Sequence, residues 1–401
     1  MQPLLDLLGR GLQNAQLEFV APEGKRWRLG HGEPKASVLL QDGDALRWML
    51  RNPGLRFGEA YVDGRWEPAD DDLLHVVGTG LRITNQWESR ALSRRLKGLQ
   101  SRLHEFNDAR SAQRNIHHHY DLQPDFYASF LDEDLHYSCA YFAKDSFTLE
   151  QAQQAKCEII ARKLRLQPGA RVLDIGCGFG SMALYLAEHH GAQVTGITLA
   201  EEQLRVARRR ATERGLEGQV EFRLEDYRKT LGSFDAIVSV GMFEHVGRPN
   251  YATYFRRIHE LLRPGGHALV HTIGRTTPPG GTNRWIQKYI FPGGAIPAAS
   301  EMIAMIEPTG LVLTDFEVWR QHYAKTLAVW HSRFQREQRR WSEHFGEAFC
   351  RMWRFYLQAS EASFRWGDLV VFHAQLAKPP VDLPLTRDYL WRAPPRRHKP
   401  S

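Results

Sequence analysis

A turn with three glycines follows directly on an apolar run in the middle of the chain, in the stretch VLDIGCGFG at residues 172–180. A helix-forming stretch comes next, at about 181–190. A strand, a bare turn and a helix in that order place backbone N–H groups at the carboxyl end of a sheet, where α/β proteins bind nucleotides. The glycines allow a ligand to approach the backbone closely. The turn therefore favours an α/β nucleotide-binding fold over a plain connector.

Alternating apolar and helical segments surround this turn. Helices are predicted at 150–166, 181–190, 200–215 and 251–262, and strands at 170–175, 193–198, 220–225, 234–240 and 267–274. Strands separated by helices imply right-handed crossovers and a parallel sheet covered by helices on both faces, the Rossmann-like arrangement. An aromatic, arginine-rich helical stretch spans 323–363, and 366–378 is predicted as a final edge strand.

The chain divides into four predicted parts. Residues 1–86 carry the turn signals Asp42-Gly43 and Asp63-Gly64 and predict a small α+β domain. Residues 87–114 predict a basic helical connector, residues 115–385 form the nucleotide-binding domain, and residues 386–401 are predicted as a basic tail, disordered over its last ten residues. The N-terminal domain is expected to bind lipid or to hold a homodimer together.

The charge of the chain suggests a polyanionic partner. There are 53 Lys and Arg against 46 Asp and Glu, a net charge of +7, which suits nucleic acid or an anionic membrane surface. The four cysteines form no CxxC pair, so we predict no zinc ribbon and reduced intracellular thiols. No window approaches the roughly 20 apolar residues that span a bilayer. We therefore expect a cytoplasmic protein, with surface attachment to a membrane left open.

The spacing of the turn argues against two common nucleotides. The glycines Gly176, Gly178 and Gly180 give GxGxG, whereas a dinucleotide fingerprint is GxGxxG and needs an acid at the end of the second strand, where this chain has Thr198. No GK[ST] follows, as a phosphate-binding P-loop requires. VLDIGCGFG instead resembles the cofactor motif of class I S-adenosylmethionine-dependent methyltransferases. On that resemblance, Asp174 accepts a hydrogen bond from the ammonium group of the methionine moiety, and Glu225 or Asp226 holds the adenine amino group.

Five further segments resemble the cyclopropane fatty acid synthase family, which includes the mycolic acid cyclopropane synthases and methyltransferases. They are residues 115–142 (NIHHHYDLQPDFYASFLDEDLHYSCAYF), 238–247 (VSVGMFEHVG), 271–274 (HTIG), 284–297 (RWIQKYIFPGGAIP) and 321–330 (QHYAKTLAVW). The stretch GLRFGEAYVDGRWE at 54–67 resembles the extra N-terminal domain of the bacterial phospholipid enzymes, so the resemblance covers nearly the whole chain. It implies methylene transfer from S-adenosylmethionine to the cis double bond of an unsaturated phospholipid chain. It also implies docking at the inner face of the cell membrane.

The resemblance further implies a bicarbonate ion as the base that removes a proton from the carbocation. The matching positions for it are Cys139, Glu244, His271, Ile273 and Tyr323, and additional cofactor contacts are Tyr137, Ser138, Thr198 and Gln203. Hydroxyl, imidazole and backbone N–H groups can donate to an oxyanion, and a carboxylate can accept from the OH of bicarbonate. Aromatic side chains in the matching segments can stabilise the cation: Tyr137, Tyr141, Phe142, Phe243, Trp285, Tyr289, Phe291 and Tyr323.

Several alternatives stay open at this point. Glu244-His245 can be an ordinary helix start, Cys139 a buried thiol or a nucleophile, and His117–His119 a cofactor lid rather than a metal site, because three consecutive residues do not share one helix face. The aromatic residues of 330–357 suit a core or a membrane interface equally. The product can be a ring, a methyl branch or a methylene group. A nucleic-acid methyltransferase is disfavoured by GMFEHV where [DN]PP[YFW] is expected, and a non-catalytic lipid-binding protein by the intact turn and acids.

Overall fold

The computed structural model describes residues 1–9, 12–88 and 123–391. Most of the predicted connector (residues 89–114), the three histidines at 117–119 and the residues from 392 onward lie outside these ranges. Within the described ranges, no helix is both long enough and apolar enough to cross a bilayer.

The first described unit is a small α+β assembly. It consists of α1 (Gln2–Leu8), β1 (Ala15–Val20), β2 (Arg26–His31), β3 (Lys35–Leu40), α2 (Ala45–Leu50), α3 (Pro53–Val62), β4 (Trp66–Pro68) and α4 (Leu73–Glu88). The sheet order is β2-β1-β3-β4, with β1 and β3 parallel and the other pairs antiparallel. The Asp42-Gly43 turn leads from β3 into α2, and the Asp63-Gly64 turn leads from α3 into β4. Both turn signals are therefore turns between a helix and a strand rather than hairpins.

The second unit is built on a seven-stranded sheet. Its elements are α5 (Pro124–Ala128), α6 (Leu149–Lys163), β5 (Arg171–Ile175), α7 (Ser181–His190), β6 (Gln193–Thr198), α8 (Glu201–Glu213), β7 (Val220–Leu224), β8 (Phe234–Val240), α9 (Tyr251–Leu261), β9 (Leu262–Arg275), α10 (Arg284–Tyr289), α11 (Ala299–Ile306), β10 (Val312–Trp319), α12 (Gln321–Phe345), α13 (Glu347–Arg365) and β11 (Leu369–Ala377). Strands β5 to β9 are parallel, as predicted.

The prediction of a final edge strand is wrong. The sheet order is β10-β11-β9-β8-β5-β6-β7, so β11 lies between β9 and β10 and is antiparallel to both. The edge strand on this side of the sheet is β10, which the sequence analysis missed. Because β11 is paired on both sides, it is buried along almost its whole length, and side chains on it reach the middle of the sheet.

The aromatic residues of α12 and α13 form core rather than a membrane interface. Trp330, Phe334, Trp341 and Trp353 are all buried, and they belong to one apolar cluster that also contains residues of the N-terminal unit, such as Trp66. Arginines 336, 339 and 340 occupy the exposed side of α12. The two units therefore share a core.

The first residues of the predicted basic tail pack against the sheet. Leu390 is buried, its carbonyl accepts a hydrogen bond from Arg162 on α6, and the Tyr389 hydroxyl contacts Gln375 on β11 at 3.0 Å. These contacts attach residues 389 and 390 to the sheet and to α6.

Candidate active site

A cavity opens at the carboxyl ends of β5, β6 and β8 and contains about 1180 Å³ of space, part of which is open solvent. Nearly all the predicted cofactor residues line it: Tyr137, Ser138, Asp174, Gly176, Gly178, Thr198, Gln203, Glu225 and Asp226. Gly180 is not in the wall. It precedes α7 with a φ of 82°, and a Cβ there would lie 2.6 Å from the Phe222 ring, so its role is to bring α7 close to the sheet.

The glycine turn has a backbone that other residues rarely adopt. Gly176 has a φ of 80° and Gly178 a φ of 54°, and a Cβ on Gly176 would meet the Met242 side chain at 2.6 Å. The N–H groups of Gly176 and Cys177 donate to the Ile197 carbonyl at 2.9 and 3.0 Å. The turn is thus fixed to β6, and the bare backbone of Gly178 remains open toward the cavity, because nothing lies within 4 Å of a Cβ built there.

Asp174 lies at the end of β5 with a carboxylate that is buried and only partly used. Its Oδ2 has no hydrogen-bond partner among the described residues. Burial raises the pKa of Asp174 to about 7, against the opposing effect of the nearby Lys156 ammonium. A buried carboxylate with a free oxygen fits a ligand that brings a cationic donor, such as the ammonium group of a methionine moiety.

Lys156 on α6 is a cavity residue that the sequence analysis missed. Its side chain is fully buried, and Nζ donates to the Ser138 hydroxyl at 2.9 Å. Burial lowers its pKa, and the neighbouring Asp174 works in the opposite direction. The signal was present in the helix, since Lys156 and Lys163 both occur at the spacing of the apolar residues Ala152, Ile159 and Ile160.

The two acids after β7 differ in what they offer a ligand. The carboxylate of Asp226 accepts from the Arg228 backbone N–H at 2.9 Å and from its guanidinium. Burial opposes the charge, but the hydrogen bonds from Arg228 outweigh it and lower the pKa of Asp226. Both Glu225 and Asp226 line the cavity wall at its β7 side, where the resemblance to methyltransferases expects the adenine.

Glu244 lies in a short turn of 3₁₀ helix directly after β8. Its Oε1 accepts from the Ile273 backbone N–H at 2.6 Å, and its own carbonyl accepts from Ala295 N–H. Its Oε2 is buried without a partner among the described residues. Burial raises the pKa of Glu244 to about 7, against the effect of the Ile273 hydrogen bond. The neighbouring His245, whose pKa burial lowers to about 4, lines the cofactor cavity.

His271 lies on β9, two residues before Ile273, whose N–H donates to Glu244. It pairs with Val240 across β8 and β9, and its carbonyl accepts from Gly241 N–H at 2.9 Å. Its Nδ1 lies 2.7 Å from Nε2 of His373 on β11. Burial, together with the nearby lysines 156 and 163, lowers the pKa of His271 well below its ordinary value, so the imidazole is neutral at pH 7.

Cys139 and Tyr323 belong to one large buried apolar cluster, and Ile273 packs against it. Cys139 is fully buried, and burial raises the pKa of its thiol, which argues against a nucleophile and leaves a thiol S–H donor. Ser138, next in sequence to Cys139, lines the cofactor cavity. Of the five predicted base-binding residues, Glu244 and Ile273 are therefore in direct contact, and the other three remain predictions from the resemblance.

Seven of the eight predicted cation-stabilising aromatic residues pack in or against this apolar cluster; Phe243 does not. It stacks on Tyr251 at 4.4 Å in the core beneath α9. Tyr137 stacks on Trp330 at 5.3 Å, and its hydroxyl contacts that of Tyr356 at 3.0 Å. Phe243 therefore packs the turn after β8 and does not face the site, so it is not expected to stabilise the cation.

The model of the family described as mycolic acid cyclopropane synthetase matches residues 107–374. The chain belongs to this family. It is 37% identical over 354 residues to a cyclopropane-fatty-acyl-phospholipid synthase of Escherichia coli, covering 87% of this chain and 89% of that one. It is 36% identical over 390 residues to a tuberculostearic acid methyltransferase of Mycobacterium tuberculosis, covering 93% of this chain and 90% of that one.

A solved mycolic acid cyclopropane synthase, in complex with S-adenosylhomocysteine and CTAB, superimposes with a TM-score of 0.64 at 31% identity. The match covers 68% of this chain and all of that one. The seven-stranded sheet is thus the class I methyltransferase fold, and the protein is an S-adenosylmethionine-dependent methyltransferase. Family membership favours a lipid acceptor over nucleic acid and over a non-catalytic role.

Proposed function

We propose that this protein is a cyclopropane-fatty-acyl-phospholipid synthase. It transfers a methylene group from S-adenosylmethionine to the cis double bond of an unsaturated phospholipid chain, through a carbocation that is deprotonated by bound bicarbonate. The observation that carries this proposal is the position of Glu244. Its carboxylate has one buried oxygen without a partner among the described residues, and it lies next to the wall of the cofactor cavity. Its other oxygen accepts from the N–H of Ile273, two residues after His271 on the same strand.

The cavity residues suit the cofactor. S-adenosylmethionine supplies an electrophilic methyl group when bound. Asp174 offers a free carboxylate oxygen to a cationic group, Gly178 offers open backbone, and the acids after β7 lie at the far wall. Lys156 holds the Ser138 hydroxyl in place and keeps positive charge near Asp174. These residues would hold the cofactor in the cavity.

The region around Glu244 fits a bicarbonate ion, which supplies the base when bound. Glu244 has a buried Oε2 that needs a donor, and the OH of bicarbonate is one. The imidazole of His271 and the hydroxyl of Tyr323 provide donors of the kind an oxyanion needs. Protons beside a carbocation are strongly acidic, so a weak base held in place is sufficient.

The surroundings of the site keep water from the reacting centre. Cys139, Tyr137, Trp330 and Tyr323 belong to the same buried apolar cluster or pack against it. Aromatic faces stabilise a cation by about 0.5–2 kcal/mol each without forming a bond to it. A cation enclosed in this way persists until it loses a proton.

A second candidate is a methyl-branched or methylene product made at the same site. The similarity to a tuberculostearic acid methyltransferase over 93% of the chain favours it. The free carboxylate oxygen at Glu244 supports a ring or a methylene group over a methyl branch, because both of these products require proton removal from the added methyl group.

The lipid is expected to remain in its bilayer during the reaction. The net charge of +7 supports docking at the anionic inner face of the cell membrane. We propose a homodimer, with the N-terminal unit taking part in either docking or dimerisation.

The proposal is tested by incubating the purified protein with S-adenosylmethionine and vesicles of unsaturated phospholipid, and analysing the fatty acids by mass spectrometry. We expect a gain of one CH2 that resists mild hydrogenation, and lower turnover in buffer freed of bicarbonate. A gain of CH2 in a chain that takes up hydrogen indicates the methylene product. A gain of CH2 plus two hydrogens when a hydride donor such as a reduced nicotinamide is added indicates a methyl branch, and no gain with the cofactor bound overturns the proposal.

A further inference from the structure

Two neutral histidines share one hydrogen bond in the middle of the sheet. His271 on β9 and His373 on β11 are register partners, and their Nδ1 and Nε2 atoms lie 2.7 Å apart. Both side chains are buried, with 2% and 0% of their surface exposed. Burial, together with the nearby lysines 156 and 163, lowers the pKa of both imidazoles well below the ordinary value. Each ring therefore carries one proton.

The position of those protons follows from what surrounds the second ring. A neutral imidazole has one N–H donor and one lone pair, so one of the two facing nitrogens donates and the other accepts. Nδ1 of His373 has no hydrogen-bond partner among the residues that the structure describes. The indole of Trp319 covers the His373 ring at 3.8 Å between centroids.

Only one arrangement avoids a buried donor without an acceptor. If His271 donated to His373, the proton of His373 would lie on Nδ1, which has no acceptor. If His373 donates from Nε2, its Nδ1 carries only a lone pair. Burying an acceptor without a partner costs less free energy than burying an N–H donor without one. His271 then accepts at Nδ1, and its own proton lies on Nε2, which is not among the buried atoms that lack a partner in the described part of the chain.

We propose that His373 is a positioning residue, which fixes the proton of His271 on Nε2 and so makes His271 a hydrogen-bond donor at the base-binding site. The catalytic consequence rests on the proposed function, because it requires an oxyanion beside His271. In the opposite tautomer, His271 would present a lone pair to that oxyanion and repel it. His373 does this from a strand that carries none of the residues predicted for the site.

The test is nitrogen NMR of the full-length protein with ¹⁵N-labelled histidine, in bicarbonate-free buffer. The His271 signals are assigned by their loss in His271→Gln, and the exposed His189→Gln serves as a control that should leave them unchanged. We expect a protonated Nε2 and an unprotonated Nδ1 for His271. A protonated Nδ1 would overturn the proposal, whatever the activity.

Two variants separate positioning from packing. His373→Leu removes the donor, and we expect His271 to populate both tautomers and turnover to fall about 10- to 100-fold, the usual cost of losing such a partner. His373→Gln keeps an N–H donor and should keep the Nε2 tautomer and most of the turnover. A Leu variant that loses activity with the tautomer unchanged would assign His373 a packing role only and contradict the proposal. If the Leu variant does not fold, the tautomer of His271 in the parent and in the Gln variant still tests the proposal.

The two proposals fail independently. A parent protein with the expected tautomer that forms no ring on unsaturated lipid would leave the tautomer assignment intact and overturn the proposed function.

Discussion

At the scale of single residues, the site consists of buried polar atoms that the protein leaves partly unused. Asp174 Oδ2 and Glu244 Oε2 have no partner among the described residues, and burial raises the pKa of both carboxyls to about 7. Such atoms are costly unless a ligand satisfies them. Both carboxyls were predicted from short motifs. Lys156 and His373 were not: the spacing of Lys156 among apolar residues shows that it is buried but not what it faces, and the position of His373 becomes visible only when β11 is placed beside β9.

Lys156 is expected to control cofactor affinity. Lys156→Met removes the ammonium near Asp174 and the donor to Ser138, so Asp174 protonates more readily and binds a cationic group less well. We predict a loss of about tenfold or more in affinity, the usual effect of one charge-assisted hydrogen bond. Calorimetric titration with S-adenosylhomocysteine measures it.

Lys163 on the same helix provides the matched control. It is equally buried, but its Nζ contacts Glu317 at 2.6 Å rather than a residue of the cavity wall. Lys163→Met should lower stability and leave the cofactor dissociation constant unchanged. Equal losses of affinity in both variants would contradict a specific role for Lys156.

Glu244 predicts a dependence of stability on pH. Its pKa rises from 4.5 to about 7 on folding, so the folded state favours the protonated form, and stability falls as the pH rises through this window. The shift corresponds to about 3 kcal/mol at pH values above 7. Glu244→Gln keeps an acceptor for the Ile273 N–H and has no charge to bury. Urea unfolding in ligand-free buffer should show the variant more stable than the parent at pH 8, with the difference closing toward pH 5. Parallel profiles would show that the Glu244 carboxyl is not desolvated.

At the scale of elements, predictions held where one signal dominated. The bounds of α7, β6 and β8 agree with those expected from apolar runs and glycine turns. Strand β10 was missed because Thr314, Asp315 and Glu317 interrupt its apolar pattern, and its residues are mostly half-buried at the sheet edge. Missing β10 made β11 look like the edge, which also concealed the position of His373 beside His271.

The contact between the two units depends on a glycine in helix α3, Gly58. A Cβ on Gly58 in α3 would lie 2.7 Å from the Trp285 ring and 2.8 Å from the Phe355 ring, both buried. Gly58→Ala should destabilise the protein by about 1–3 kcal/mol, as overpacking generally does. Thermal or urea unfolding measures it.

Gly54 in the same helix is the control for Gly58. Nothing lies within 4 Å of a Cβ placed there, so Gly54→Ala should be neutral or stabilising by up to about 1 kcal/mol. The same loss of stability in both variants would mean that helix α3 itself, and not its contact with α10 and α13, responds to the substitution.

At the scale of the whole molecule, the tryptophans of the last two helices lie inside, and several arginines of α12 lie outside. The buried tryptophans of α12 and α13 join the two units, whereas arginines 336, 339 and 340 are exposed. Attraction to a membrane is therefore expected to come mainly from charge. Such attraction is screened over about 10 Å at 0.1 M salt and about 3 Å at 1 M.

Vesicle binding should follow the charge of the lipid. In co-sedimentation, we expect binding to anionic vesicles to fall steeply between low and high salt, and binding to neutral vesicles to be weak throughout. Salt-independent binding of equal strength to both would indicate apolar insertion and contradict electrostatic docking.

The most direct test of the account uses S-adenosylmethionine with a fully deuterated methyl group, with unsaturated phospholipid vesicles as acceptor. If the added methyl group loses one hydrogen to a base held at Glu244 and the ring closes, the fatty acid retains two deuterium atoms and resists mild hydrogenation. Retention of all three would show that no proton leaves the added group, and it would contradict the proposed role of the Glu244 site.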